Sequence, residues 1–229
     1  MKRGMLIVIE GTDCSGKETQ SNKLVEFLNK NGYKTNKYAF PNYDSPTGKI
    51  IAGPYLGKEG YSKALFPEGA SNVDPYCASL LYAMDRKYNI AIIEKDLASG
   101  INVVLDRYVE SNMAHQGCKL EEKEKEHMFY FLETLEYDLL KLPRADLLVL
   151  LHMPTWASIK LKSGRLEPGD QHENDKNHLQ KAEQTYLSVA RRNNAEVIEC
   201  TKGEDILSIE EINKMLCEAV VNKIKEFNK

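Results

Sequence analysis

Leu6-Ile-Val-Ile-Glu-Gly-Thr-Asp-Cys-Ser-Gly-Lys17 decides how this chain is read. Leu6 to Ile9 is a short apolar run of strand type. Gly11 to Lys17 fits G-x-x-x-x-G-K, and Lys17 to Lys30 carries Leu24, Val25 and Leu28 at helical spacing before Asn31-Gly32 stops it. Strand, glycine-rich turn and helix in that order are the context in which this pattern cradles phosphate. The glycines let successive backbone N–H groups point inward, the helix N-terminus adds partial positive charge, and Lys17 reaches the outer phosphates. Gly11, Thr12, Asp13, Cys14, Ser15, Gly16, Lys17, Glu18 and Thr19 are therefore the expected site for the phosphates of ATP, with Mg²⁺ as companion ion.

One position departs from the pattern. The residue after Lys17 is ordinarily Ser or Thr, whose hydroxyl ligates the metal; here it is Glu18. Either Glu18 offers its carboxylate to the ion, or the ion is held elsewhere. Cys14, inside the loop, is a thiol whose pKa the loop amides would lower, or simply a small residue tolerated in a tight turn.

Outward from the loop, apolar runs alternate with helical patterns. Lys34–Phe40 is a second, more polar strand suited to a sheet edge, and Lys49–Leu56 a short helix. Asp74-Pro75 opens a helix in which Cys77, Leu80, Leu81, Met84, Tyr88 and Ala91 mark one expected buried stripe, ended by Gly100. Ile101–Leu105, Ala145–Leu151 and Glu196–Cys200 are further strands. Glu121–Lys141, Asn174–Arg192 and Ile206–Phe227 are helices. Strands apolar throughout, alternating with helices, predict an α/β fold: one domain over 1–229, with a five-stranded parallel sheet covered by helices on both faces. Ser163–Asp175 is polar and aperiodic, so a mobile lid is expected over about 160–175.

Composition narrows the class. The 229 residues, 42% hydrophobic and 28% charged, suit one globular domain. A net charge of −3 gives no reason to expect nucleic acid as a partner. No apolar run approaches the roughly 20 residues of a membrane span. The basic start with its short apolar run lacks a leader's cleavage site. Five scattered cysteines without a CxxC fit a reducing cytoplasm.

Ile101–Leu105 runs straight into Asp106-Arg107-Tyr108. Ligands of open parallel sheets sit at the carboxyl ends of strands. Asp106 is thus placed to hold Mg²⁺ or accept a proton, and Arg107 to neutralise phosphate oxygens. At this point the chain resembles the thymidylate kinase family. The resemblance rests on Ile9-Glu-Gly-Thr-Asp13, Gly16-Lys-Glu-Thr-Gln20, Phe40-Pro-Asn-Tyr43, Leu80-Leu-Tyr-Ala-Met-Asp-Arg86 and Asp106-Arg-Tyr-x-x-Ser111-x-x-Ala114-x-Gln116-Gly117.

The resemblance implies a P-loop nucleoside monophosphate kinase that forms dTDP from ATP and dTMP, acting as a homodimer. It implies roles for Lys17, Asp106 and Arg107 in transfer. It assigns Asp13 to the acceptor's 3′-hydroxyl or the metal, Arg107 and Tyr43 to its phosphate, and Phe40 to the base pocket. Tyr82 would stack on thymine and Arg86 would hydrogen-bond its carbonyl. Ser111, Asn112 and Gln116 would face deoxyribose and pyrimidine. Being four apart, Tyr82 and Arg86 share a helix face, expected to point away from the core.

Three positions depart from the family pattern. His115 stands where Tyr is common, at a position associated with excluding a 2′-hydroxyl. Cys14 replaces a base found in one subclass, which shifts charge neutralisation to the lid, where Arg165 is preferred over Lys160 and Lys162. His152 stands where Asp is usual. His172 and His178 fit no common zinc spacing. Alternatives that the residues leave open are a kinase for dUMP, CMP/UMP or thymidine, and a non-catalytic nucleotide-binding regulator.

Overall fold

The computed structural model describes residues 2–12, 14–162 and 176–229. Expectations placed on Asp13, Arg165, His172 and the body of the lid fall outside those residues, as do those on the side chains of Lys162 and His178.

Five strands form one parallel sheet: β1 (Leu6–Gly11), β2 (Thr35–Ala39), β3 (Asn102–Asp106), β4 (Leu147–His152) and β5 (Glu196–Glu199), in the order β2-β3-β1-β4-β5. The polar strand β2 takes an edge, as its composition predicts. Side chains alternate between the faces of a strand. Leu6 and Val8 therefore face one core, with Ile90, Ile93, Met113 and Leu132, whereas Ile7 and Ile9 face another, with Leu24, Leu28, Leu216 and Val220. In register, Ile9 pairs with Asp106 and Gly11 with Leu151, so the carboxyl ends of β1, β3 and β4 meet at one rim.

The helices assigned from the sequence appear in their expected order, with boundaries that tertiary contacts redraw, and two further helices, at Val109–Gly117 and Thr155–Lys162, had no assigned span. Helix α1 (Lys17–Lys30) matches its expected span. The segment expected at Lys49–Leu56 is α2 (Pro46–Ile50) continuing as a π-helical turn, Ile51–Tyr55. Helix α3 spans Pro75–Ala98, its start capped by Asp74, which accepts from the N–H groups of Tyr76 and Cys77. After α4 (Val109–Gly117), helix α5 (Glu122–Glu133) also ends in a π-helical turn, Thr134–Leu139, where an uninterrupted helix is expected. Helices α6 (Thr155–Lys162) and α7 (Lys176–Arg192) bracket residues 163–175. A small hairpin unmarked by periodicity, β6 (Thr201–Lys202) and β7 (Asp205–Ile206), precedes α8 (Ile209–Phe227), whose Ser208–Glu211 capping box sets its start.

Apart from Leu81, which is partly buried against the cluster of Ile51, Tyr55 and Ala78, the expected buried stripe of α3 is its outer face. Leu80 is 51%, Met84 38% and Tyr88 60% exposed, and Cys77 and Ala91 are also exposed. The buried side carries Ala78, Ser79, Ala83, Asp85, Arg86, Ile90, Ile93 and Leu97. Two charged groups thus lie within, beside Ile90, Ile93 and Leu97, because Asp85 and Arg86 find buried partners that a helical-wheel argument cannot foresee.

Asp85 shows what such a partner set does. Its carboxylate, fully buried, accepts from Asn42 N (2.8 Å), Thr47 Oγ1 (2.7 Å), Ser45 Oγ (3.1 Å) and Asn89 Nδ2 (2.9 Å). These bonds clip the segment leading into α2 onto α3. Gly48 permits the clip, since a Cβ there would lie 1.7 Å from the carbonyl oxygen of Asn42. Removing the carboxylate leaves several buried donors unpaired, each costing about 1–3 kcal/mol. Asp85→Ala should therefore lose at least about 3 kcal/mol of stability, read from the urea midpoint at unchanged m-value.

Candidate active site

The phosphate loop leaves β1 at Gly11 and enters α1 through Gly16, whose φ of 74° only glycine adopts without strain; Cys14 also lies at positive φ. Thr12 bolts the loop to the end of β4, its hydroxyl donating to Met153 O (2.7 Å) and accepting from Met153 N (2.9 Å). Lys17 Nζ donates to the loop carbonyls of Gly11 (2.8 Å) and Thr12 (3.0 Å). Gly11 has to be glycine because an added Cβ would come 2.4 Å from Ser15 Oγ. Ser15 is buried, and its hydroxyl has no partner among the described residues. Glu18 and Thr19 are exposed at the first turn of α1.

Asp106 ends β3 directly beside this loop, with Lys37 Nζ 3.8 Å from its carboxylate. Arg107 follows in the left-handed region at φ 68°, a conformation that costs energy for a residue with a Cβ and so marks a position held by its surroundings. Glu10 supplies that hold. Buried in the sheet, its carboxylate accepts from Tyr108 N (2.8 Å), Ser111 N (2.9 Å) and Ser111 Oγ (2.6 Å). Burial pushes the Glu10 carboxyl up, while the nearby Arg107 guanidinium and these donors pull it back.

Arg107 Nη1 reaches Ser111 Oγ (3.3 Å), Tyr186 Oη (3.1 Å) and His115 Nε2 (3.3 Å). A guanidinium cannot accept. Nε2 of His115 is therefore the acceptor, and the imidazole carries its proton on Nδ1. Tyr186 Oη lies 3.2 Å from the same nitrogen. The sequence pattern foresees His115 but not Tyr186, which sits on a helix that only folding brings across α4.

A cavity of about 650 Å³ joins these groups to the rest of the expected site. Cys14, Gly16, Lys17, Glu18, Thr19, Phe40, Tyr43, Tyr82, Arg86, Asp106, Arg107, Ser111, Asn112, His115 and Gln116 all line it. Gly11, Thr12 and Ser15 lie buried beneath the loop. A second cleft, about 720 Å³, lies at the amino-terminal ends of β4 and β5 and is lined by none of the expected residues.

In the lining of the first cavity, Tyr82 packs edge-on to Tyr55, and Phe40 lies against Tyr108. The Lys58 ammonium sits 4.2 Å over the Tyr43 ring. Arg86 is not displayed away from the core as expected: it is buried, with Nε and Nη2 each 2.5 Å from the Glu136 carboxylate and Nη1 3.3 Å from Tyr108 O. Asn112 Oδ1 and Gln116 Oε1 are buried without a partner among the described residues. Lys119 also lines the cavity and donates to the carbonyls of Ala70 and Val73. Lys58, Lys119 and Glu136 carry no signal in the sequence, being separated from the motifs by whole elements.

His152 has a definite place. Its Nδ1 lies 2.7 Å from Glu199 and its Nε2 3.1 Å from Glu183, while Glu183 also accepts from Thr155 N (2.8 Å) and Thr155 Oγ1 (2.5 Å). One cluster thus ties β4, β5 and the start of α6 to α7. The Glu183 hydrogen bond raises the His152 pKa against the effect of burial, with Glu199 adding to it. Burial alone would raise Glu183, but bonds from His152 and Thr155 hold it below its ordinary value.

A raised His contributes stability that is complete below its unfolded pKa and lost as pH climbs through the folded one. A depressed Glu contributes above its unfolded pKa and loses that contribution as pH falls. The cluster is therefore strongest between the ordinary values of 4.5 for Glu183 and 6.5 for His152, and fades in alkali. His152→Ala should lower the melting temperature most near pH 6, and the gap to the parent protein should narrow by about pH 9.

With this geometry in view, comparison with known proteins is informative. The thymidylate kinase family profile matches residues 9–211. The human thymidylate kinase is 32% identical over 152 residues, 66% of this chain and 62% of that protein. The Mycobacterium tuberculosis thymidylate kinase is 33% identical over 193 residues, 81% of this chain and 86% of that protein. The chain spans about half the length of several eukaryotic relatives it matches, 53% of the Caenorhabditis elegans enzyme among them. A solved thymidylate kinase from Candida albicans superposes with a TM-score of 0.69 at 24% identity, covering 96% of this chain and 92% of that one, a likeness of fold. The chain belongs to the thymidylate kinase family.

Proposed function

We propose that this chain transfers the γ-phosphoryl group of ATP to dTMP, giving dTDP for deoxynucleotide synthesis. The observation that carries this reading is that one cavity is lined by the phosphate-loop lysine, Lys17, by Arg107, and by Tyr82 and Arg86. The donor set fits a triphosphate: Ser15 offers a buried hydroxyl without a partner among the described residues, and Lys17 Nζ can exchange its loop carbonyls for phosphate oxygens. Phosphoryl transfer has a loose transition state, so positioning and charge neutralisation carry most of the catalysis.

The amides of Gly11 to Lys17 and the Lys17 ammonium hold the ATP phosphates. Arg107, kept in its strained conformation by the bonds of Glu10 to Tyr108 and Ser111, holds the acceptor phosphate with Tyr43 at its side. Asp106 and Glu18 are the carboxylates that would hold Mg²⁺, which would neutralise charge on the ATP phosphates. Thr12, Cys14, Gly16 and Thr19 complete the loop's contacts. Phe40 and Tyr82 wall the base pocket, and Arg86 donates to the base carbonyl. Ser111, Asn112, His115 and Gln116 face sugar and base, and Asp13 and Arg165 act on the acceptor hydroxyl and the transferring phosphoryl. The whole chain acts as one kinase domain with a lid.

A coupled ADP-release assay tests the reading. Turnover with dTMP should exceed that with dUMP, UMP and thymidine, and activity on thymidine without dTMP would overturn it. Arg107→Ala should cut kcat/KM for dTMP by about a hundredfold or more with the KM for ATP little changed. ATP binding without transfer to any monophosphate would favour a regulator instead.

The homodimer finds support in the outer face of α3. Leu80, Met84, Tyr88 and Ile92 recur every four residues and stand 51%, 38%, 60% and 52% exposed, an apolar ridge suited to a second copy. Met84→Glu with Tyr88→Glu should halve the mass measured by sedimentation equilibrium. The cytoplasm suits five cysteines none of which forms a disulfide. No helix among the described residues is long and apolar enough to cross a membrane.

A further inference from the structure

Arg86 brings five N–H groups to the cavity, and its partners decide which of them a ligand can use. Glu136 takes Nε and Nη2 in a two-pronged pair, both at 2.5 Å, and Tyr108 O takes one hydrogen of Nη1 at 3.3 Å. The guanidinium is thereby held through three of its five N–H groups, which leaves one hydrogen on Nη1 and one on Nη2 for a ligand. The same carboxylate oxygen, Glu136 Oε1, lies 3.4 Å from Asn112 Nδ2, which also reaches Ser79 O at 3.3 Å. With its amino group drawn to these two acceptors, the Asn112 amide has to turn Oδ1 the other way. That oxygen is buried and without a partner among the described residues.

Glu136 owes its position to the π-helical turn Thr134–Leu139, which widens the helix by a residue at this point. The side chain is fully buried, and it lies 50 residues from Arg86 in sequence. Sealing an ion pair this deeply gains little stability over an apolar pair of like volume. Its effect is geometric: it sets a donor, on Arg86, beside an acceptor, on Asn112.

We propose that Glu136 is a positioning residue that makes the base pocket select 4-oxo over 4-amino pyrimidines, by orienting Arg86 and Asn112 together; this rests on the reading of the cavity as a pyrimidine monophosphate site. A 4-oxo pyrimidine presents a carbonyl acceptor at C4 beside an N3–H donor, the complement of the Arg86 and Asn112 pair. A 4-amino pyrimidine presents a donor at C4 and a bare N3 acceptor, so both contacts become like against like. Rejection by mispaired buried polar groups is the strong form of discrimination. Glu136 touches neither base nor phosphate and acts only through the two residues it holds.

The test compares the full-length parent, Glu136→Gln and Glu136→Asp with dTMP and dCMP as acceptors. Gln removes the charge and places an amino group opposite Arg86; Asp keeps the charge but shortens its reach. For each variant the KM for dTMP should rise about tenfold while kcat stays within about threefold and the KM for ATP is unchanged. The dTMP-to-dCMP ratio of kcat/KM should fall by about tenfold. A variant whose melting temperature drops but whose dTMP KM and acceptor ratio match the parent overturns the proposal, and so does failure of both variants to fold, since the role is then structural. A parent that does not prefer dTMP to dCMP overturns the proposal, whereas a parent that turns over neither overturns the pyrimidine-pocket reading itself, a result visible before any variant is made.

Discussion

A carboxylate at the carboxyl end of a central parallel strand has no solvent and few ready partners, and Glu10 resolves this by accepting from the backbone of the neighbouring turn. Its bonds to Tyr108 N and to both the amide and hydroxyl of Ser111 set where α4 begins. They leave Arg107 between the strand end and the helix at φ 68°. The phosphate loop departs from the residue after Glu10. One buried carboxyl group therefore ties the strand that leads into the phosphate loop to the turn that carries Arg107.

The second half of the site is built on two further buried carboxylates. Asp85 gathers the approach to α2, and Glu136 gathers Arg86 and Asn112. Each sealed charge costs desolvation and is tolerable only because it is hydrogen-bonded on several sides. Two π-helical turns assist: Ile51–Tyr55 brings Tyr55 against Tyr82, and Thr134–Leu139 brings Glu136 beneath Arg86. Such turns recur where a helix has to re-aim a side chain. Polar groups such as Arg86 and Asn112 and aromatic ones such as Phe40, Tyr43 and Tyr82 line the same cavity.

Burying charge on one side of α3 also explains the other side. Asp85 and Arg86 share the inner face with Ile90, Ile93 and Leu97. Leu80, Met84, Tyr88 and Ile92 are left outside as a ridge. The interior of the site and the face offered to a second copy are two consequences of a single rotation of one helix. The cluster of His152 with Glu183 and Glu199 plays a comparable part at the other end of the rim, tying β4 and β5 to the helices α6 and α7.

The five strands and the longer helices, the parallel sheet with β2 at its edge, the loop from Gly11 to Lys17 and the strand end at Asp106-Arg107 were legible from the chain alone, whereas the short helices α4 and α6 and the hairpin of β6 and β7 were not. The legible features depend on local rules: strand periodicity, glycine geometry, caps and the rule that strand ends carry ligands. What the tertiary structure decided was orientation and partnership. Periodicity could not tell which face of α3 turns inward, because that depended on Glu136, 50 residues away from Arg86 in sequence. Nor could it place Tyr186 on Arg107, Glu183 on His152 or Glu10 on Tyr108. Each of these pairs joins different elements through a buried charge or hydroxyl, and such pairs exist only once the sheet has brought the elements together and excluded water between them.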